Sequence, residues 1–143
     1  MTAGIPHGWQ EEERTDLRIG RWRFYRAIDP TFSSSVSEQN IVVRDGERMT
    51  GRQGILALLT DVGAFDAPAD RMDAVRLAEQ IGHFVVEGTS MSSARVGLYR
   101  GRTPVVRRED DALVLEVTYD RDGAPWPMTI TAWPSGDVSV RRG

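Results

Sequence analysis

The sequence predicts an α+β domain: an N-terminal strand pair, two helices, and a C-terminal antiparallel meander of four to five strands curling over the longer helix. Three observations predict it. Ala74, Leu77, Ala78, Ile81, Phe84 and Val85 recur at three- and four-residue spacing, giving one apolar helix face. Beyond residue 95 the apolar period changes to two, the spacing of half-buried strands. The connections between those strands are too short for anything but antiparallel neighbours.

The elements follow in order. Residues 1–16 contain Gly4, Pro6, Gly8 and the acidic run Glu11, Glu12, Glu13, and read as a flexible tail with Trp9 tucked onto the body. Residues 17–143 read as a single domain, and 17–28 as its first strand. Trp22 and Phe24 alternate there against Arg21, Arg23 and Tyr25. Asp29-Pro30 ends the strand, and the serine-rich stretch 33–37 links it to the next. Ile41, Val42 and Val43 make a second strand, closed by the turn pair Asp45-Gly46. Thr50 and Gln53 have the spacing of a capping box ahead of the apolar run Ile55–Leu59, which predicts a short buried helix. A second helix is expected over 69–87, with Pro68 at its start and Gly88 as its stop. A polar loop, Thr89–Ser93, leads to strands at 95–100, 104–109, 112–120, 126–133 and 137–142. Gly101, Asp110-Asp111, Asp122-Gly123 and Pro134-Ser135-Gly136 supply the turns. Leu113, Leu115, Val117 and Tyr119 share one face of the third of these strands. Met128, Ile130 and Ala132 share one face of the fourth.

Composition bounds the function. With 143 residues, 40% hydrophobic and 27% charged, the chain has the make-up of one globular domain. No apolar run reaches the ~20 residues of a membrane span. The N-terminus lacks the basic and apolar regions of a signal peptide, so the cytoplasm is the expected address. There is no cysteine, and the two histidines, His7 and His83, have no metal-ligand spacing; no metal or other cofactor is expected. His83 sits at the edge of the apolar helix face, the setting of a hydrogen-bonded structural histidine. No nucleophile elbow and no phosphate-binding glycine loop is present. The net charge of −3 argues against nucleic acid as a partner.

The 18 basic residues are all arginine, as the codons of a GC-rich bacterial genome favour. Residues 89–108 hold five arginines and no acid, while 61–88 hold six acids against two arginines. The blocks predict either complementary patches within the fold or a basic face for an acidic partner. Arg21 and Arg23 share a strand face with Tyr25. Arg100 and Arg102 lie in the later basic block. Trp133 alternates with Thr129 and Thr131 and is expected to face outward. Arg21, Arg23, Arg100, Arg102 and Trp133 are therefore the candidate contact residues for a protein partner or for self-association.

The segment Gly51-Arg52-Gln53-Gly54-Ile55-Leu56-Ala57-Leu58-Leu59-Thr60-Asp61-Val62-Gly63 resembles the central-helix segment of hotdog-fold acyl-CoA thioesterases. That family opens an apolar helix with a glycine pair and carries an acidic residue seven positions after the last glycine. The family's usual His-Gly is Arg52-Gln53 here, and a second long helix precedes the main strands. The resemblance implies a catalytic role for Asp61 as general base or nucleophile, a small acyl thioester ligand, and at least a dimer. Two functions follow as expectations: a non-enzymatic interaction domain of accessory or immunity-subunit type, and a pocket protein or enzyme centred on Asp61.

Overall fold

The computed structural model describes residues 8–28, 38–85, 97–121 and 123–142. Strands β1 (Gln10–Glu13), β2 (Trp22–Ile28), β3 (Glu38–Arg44) and β4 (Glu47–Met49) form one antiparallel sheet in chain order. Helices α1 (Gly51–Asp61) and α2 (Ala74–Val85) follow. The second antiparallel sheet holds β5 (Gly97–Leu98), β6 (Val105–Glu109), β7 (Ala112–Arg121), β8 (Ala124–Ala132) and β9 (Val138–Arg142). Leu98 pairs with Tyr119 and Val105 with Glu116, so β5 and β6 share one edge of β7. β8 and β9 extend the sheet on the other side. This is the expected α+β arrangement, with the strand pair, the helices and the meander in the expected order.

The N-terminal sheet is larger than the predicted strand pair. Gln10–Glu13 pair with Tyr25–Ile28 as β1, although the segment reads as part of a tail. Its composition carries no strand signal; the open edge of β2 supplies the ladder. Trp9 packs against Tyr25, Ala27, Ile41 and Val43 on the outer face of the sheet. Both faces of β3 are therefore covered, which explains an unbroken apolar run rather than alternation. Asp45 (φ 52°) and Gly46 (φ 81°) are both left-handed, the twist a two-residue hairpin prefers, and they turn β3 into β4.

Thr50 stands at the N-cap of α1, but its side chain makes no capping hydrogen bond. Gly51, next in line, has a φ of 56°, so the regular first turn that a capping box needs is missing. The second helix is shorter than its apolar pattern. Ala69–Arg71 form a separate 3-10 turn, Met72 is extended, and α2 begins at Ala74. Asp73 makes the break by accepting the Arg76 backbone N–H at 3.1 Å, the bond of an N-cap. The expected strand end at Asp29-Pro30, the linker at 33–37, the stop at Gly88 and the loop Thr89–Ser93 lie outside the described residues.

α2 lies between the sheets. On one side its Phe84 meets Trp22 edge-on at 6.2 Å and its His83 meets Phe24 at 5.4 Å. On the other, Tyr119 of β7 donates its hydroxyl to the Ala78 carbonyl at 2.7 Å. At about 100° per residue, His83 and Phe84 point to the side of the helix opposite Ala78. The inward residues of the second sheet are those the alternation picked out: Leu113, Leu115, Val117 and Tyr119 on β7, and Met128, Ile130 and Ala132 on β8. α1 packs beside α2 at Gly54, where a Cβ would stand 2.5 Å from Cε1 of Phe84.

Candidate functional site

Three places collect polar chemistry around this core. The first is Asp61, the last residue of α1. Its Oδ2 accepts from the Trp22 indole N–H at 3.0 Å, from Arg44 at 3.1 Å and from Arg21 at 3.2 Å. Arg21 also pairs with Asp45 at 3.0 Å, and the Arg44 guanidinium lies over the Trp22 ring. Desolvation pushes the Asp61 carboxyl up, but the Trp22, Arg21 and Arg44 hydrogen bonds outweigh it and hold its pKa below the ordinary value. The side chain is 23% exposed. A carboxylate so engaged is a weak base. The duty visible in the geometry is to tie the end of α1 to β2 and β3.

The second place is the outer face of the C-terminal sheet. A shallow groove of about 400 Å³ crosses β6, β7 and β8 there, lined by Arg102, Thr103, Val105, Glu116, Thr118 and Thr129 among others. Val105 is 50% exposed, one of two large apolar side chains so exposed among the described residues. The described arginines of the basic block divide between internal bonds and solvent. Arg107 pairs with Glu109 and Glu116. Arg108 donates to the Ala64 and Ala67 carbonyls, fastening β6 to the chain after α1. Arg100 and Arg102 are exposed, and neither side chain makes a hydrogen bond or ion pair among the described residues. Their backbone turn is fixed by Tyr99 N–H to Thr118 O at 2.9 Å and Arg102 N–H to Tyr99 O at 3.2 Å.

The five candidate contact residues do not form one surface. Arg23 stands exposed on the outer face of the N-terminal sheet, and Arg21 belongs to the Asp61 cluster. Both stand at the N-terminal sheet, whereas Arg100 and Arg102 stand in the turn beside β7 of the second sheet. Trp133 is half-buried in the turn after β8, where its N–H bonds the Asp137 carbonyl. Pro127 stands opposite Thr118 at the Arg102 end. Trp133 is therefore six residues, or about 20 Å, along the sheet from Arg102. Trp126, the other tryptophan of this strand, is buried with Arg121 and Arg142 over its ring. Glu116, Thr103, Thr118 and Thr129 line the groove without having stood out in the sequence. Their only sequence mark is the outward phase of the alternation, Thr129 and Thr131 against Met128 and Ile130.

The third place is the start of α2, where a cleft of about 250 Å³ opens between the helix, the Ile19 turn and the chain after α1. Its lining includes Arg71, Asp73, Arg76 and Gln80. Deeper in the core, His83 is 1% exposed, with Nδ1 2.9 Å from the Glu79 carbonyl. A carbonyl can only accept, so Nδ1 carries the proton and Nε2 is left as a buried acceptor with no partner among the described residues. Burial pushes this imidazole down to about 4.

Among the described residues no three His, Asp or Glu side chains gather as metal ligands would. No helix among them is long and apolar enough to cross a membrane. The fold and the groove define a two-sheet α+β domain with a cationic outer rim. Comparison with protein-family models, curated proteins and solved structures finds no match to this chain.

Proposed function

We propose that the chain is a non-enzymatic interaction domain, an accessory or immunity-type subunit, whose contact surface is the outer face of the C-terminal sheet. The observation that carries this is a pair of guanidiniums without partners among the described residues: Arg102 at one end of the groove and Arg100, two positions before it. Most neighbouring cations are spent inside the fold: Arg107 on acids, Arg108 on carbonyls, Arg121 and Arg142 on an indole. Two exposed arginines, unpaired among the described residues, present bidentate donors to a carboxylate-bearing partner. The exposed Val105 and the groove threonines add a small apolar anchor and hydroxyls around it. Polar lining and open shape favour a partner's side chains over an enclosed substrate. The setting of Asp61, neutralised by two guanidiniums, supports an architectural duty rather than a general-base one.

The test is partner capture from the source cell with three proteins: the wild type, an Arg100→Glu/Arg102→Glu double variant, and Arg23→Glu on the opposite sheet. The expected result is a partner retained by wild type and Arg23→Glu and lost by the double variant. A partner retained by the double variant, or lost with Arg23→Glu alone, refutes the assignment of this face.

A further inference from the structure

The cleft at the start of α2 is separate from that face, and nothing in the proposed contact surface uses it. Its deep wall is apolar. Leu77 is part of the buried core, and Ile19, Val62 and Met72 pack onto that core from the cleft side. Its rim is cationic. Arg71 is exposed, and its side chain makes no hydrogen bond or ion pair among the described residues. Arg76 is held in place by a bond from Nη2 to the Arg18 carbonyl at 2.6 Å. Its Nε–H is buried with no acceptor among the described residues. Arg76 is half-buried and lines the cleft, so its guanidinium is placed to meet an anion there together with Arg71.

The other polar groups of the cleft are committed. Gln80 is buried and donates to the Leu17 carbonyl at 2.8 Å. Asp73 spends Oδ1 on the first turn of α2. With Arg71, Arg76 and Asp73 at the rim, one positive charge is in excess.

We propose that this cleft binds a small monocarboxylate with an apolar body, its carboxylate held by Arg76 and Arg71 and its body on the Ile19–Val62–Met72–Leu77 wall. The volume of about 250 Å³ matches about eight water-sized groups at ~30 Å³ each. That is the size of a six-carbon acid or a benzoate. An inorganic phosphate would leave the apolar wall in contact with water. A neutral alcohol of equal length could accept from a guanidinium but would bring no charge to Arg71 and Arg76.

The test is an NMR titration of the whole chain with sodium hexanoate, hexan-1-ol and sodium acetate. The expected result is saturable shifts at amides of the cleft residues, with hexanoate at least tenfold tighter than either control. Arg76→Met should weaken hexanoate tenfold or more and leave hexanol unchanged. Arg71→Gln, which removes no internal bond, should weaken hexanoate several-fold, and it carries the test if the Arg76 variant does not fold. Equal affinity for hexanoate and hexanol overturns the proposal. So do shifts mapping elsewhere, shifts indifferent to Arg71→Gln, and the absence of saturable shifts. None of these outcomes bears on the Arg100/Arg102 surface.

Discussion

Acidification should destabilise this protein through His83 before Asp16 and Asp61 titrate. In the unfolded chain the imidazole takes a proton near its ordinary pKa of 6.5; in the fold, burial lowers that to about 4. The Glu79 carbonyl bond favours the charged form and the Arg14 and Arg26 charges oppose it, with Asp16 acting the other way, but burial is the largest effect. Below pH 6.5 the unfolded state therefore binds a proton that the folded state refuses. Stability rises with pH wherever the unfolded state binds more protons. The contribution is complete above about pH 7 and is lost as pH falls toward 4. At about 1.36 kcal/mol per pKa unit, the loss relative to pH 7 is about 2 kcal/mol at pH 5 and about 3 kcal/mol at pH 4. Asp16, lowered first by its hydrogen bond from Arg14, and Asp61 behave in the opposite way. Their folded pKa values lie below the ordinary 3.8, so their stabilisation is present above that value and lost only at lower pH. The assay is urea denaturation at pH 7, 6, 5 and 4.5, on the wild type and on His83→Phe, which keeps a ring edge-on to Phe24. The wild-type midpoint should fall across this window, while that of the variant stays nearly flat. Parallel curves for the two proteins would refute a neutral, buried His83.

Two further predictions test how the layers are held. Gly54→Ala places a methyl group 2.5 and 2.7 Å from two atoms of the Phe84 ring, an overpacking worth about 1–3 kcal/mol. The gain in helix propensity, about 1 kcal/mol, offsets part of it. Thermal denaturation should show a net loss that Phe84→Leu partly rescues in the double variant; simple additivity would remove the close approach as its cause. Asp61→Asn leaves the buried Trp22 indole with a neutral acceptor in place of a charged one and should cost about 1–2 kcal/mol by urea denaturation. The same variant should show no change in acyl thioester turnover, because none is expected of the wild type. Turnover by the wild type that disappears in this variant would return Asp61 to a catalytic role.

Much of the fold was legible because local chemistry and tertiary demand agree. The alternation of β8 is a direct record of one face packed inward and one left outward, whereas β7, the central strand, buries Val114 and Thr118 of its outward phase as well. Asp45-Gly46 marked its hairpin because few residues accept left-handed φ at two successive positions. The break before α2 was hidden because the apolar spacing runs to its edge without interruption. Only the Asp73 side chain, by choosing the Arg76 N–H, decides where the helix begins. β1 was hidden for a different reason. Gln10–Glu13 have no strand preference, and a ladder edge 12 or more residues away recruits them. The arginines were legible as a resource but not as an arrangement, since which are spent depends on neighbours far along the chain.

By itself the sequence determined the class of the protein, the order of its elements and the inward residues of its meander, because periodicity and turn chemistry act over a few residues. Only the tertiary structure decided what the polar residues are for. Asp61 receives Arg21, Trp22 and Arg44 from 40, 39 and 17 positions away. His83 is buried against a strand some 60 residues earlier, and Arg76 reaches a carbonyl 58 residues before it. Arg100 and Arg102 stand apart because nothing in the described fold comes to meet them. Electrostatics and hydrogen bonding depend on distance in space, and that distance exists only once the sheets have closed around the helices.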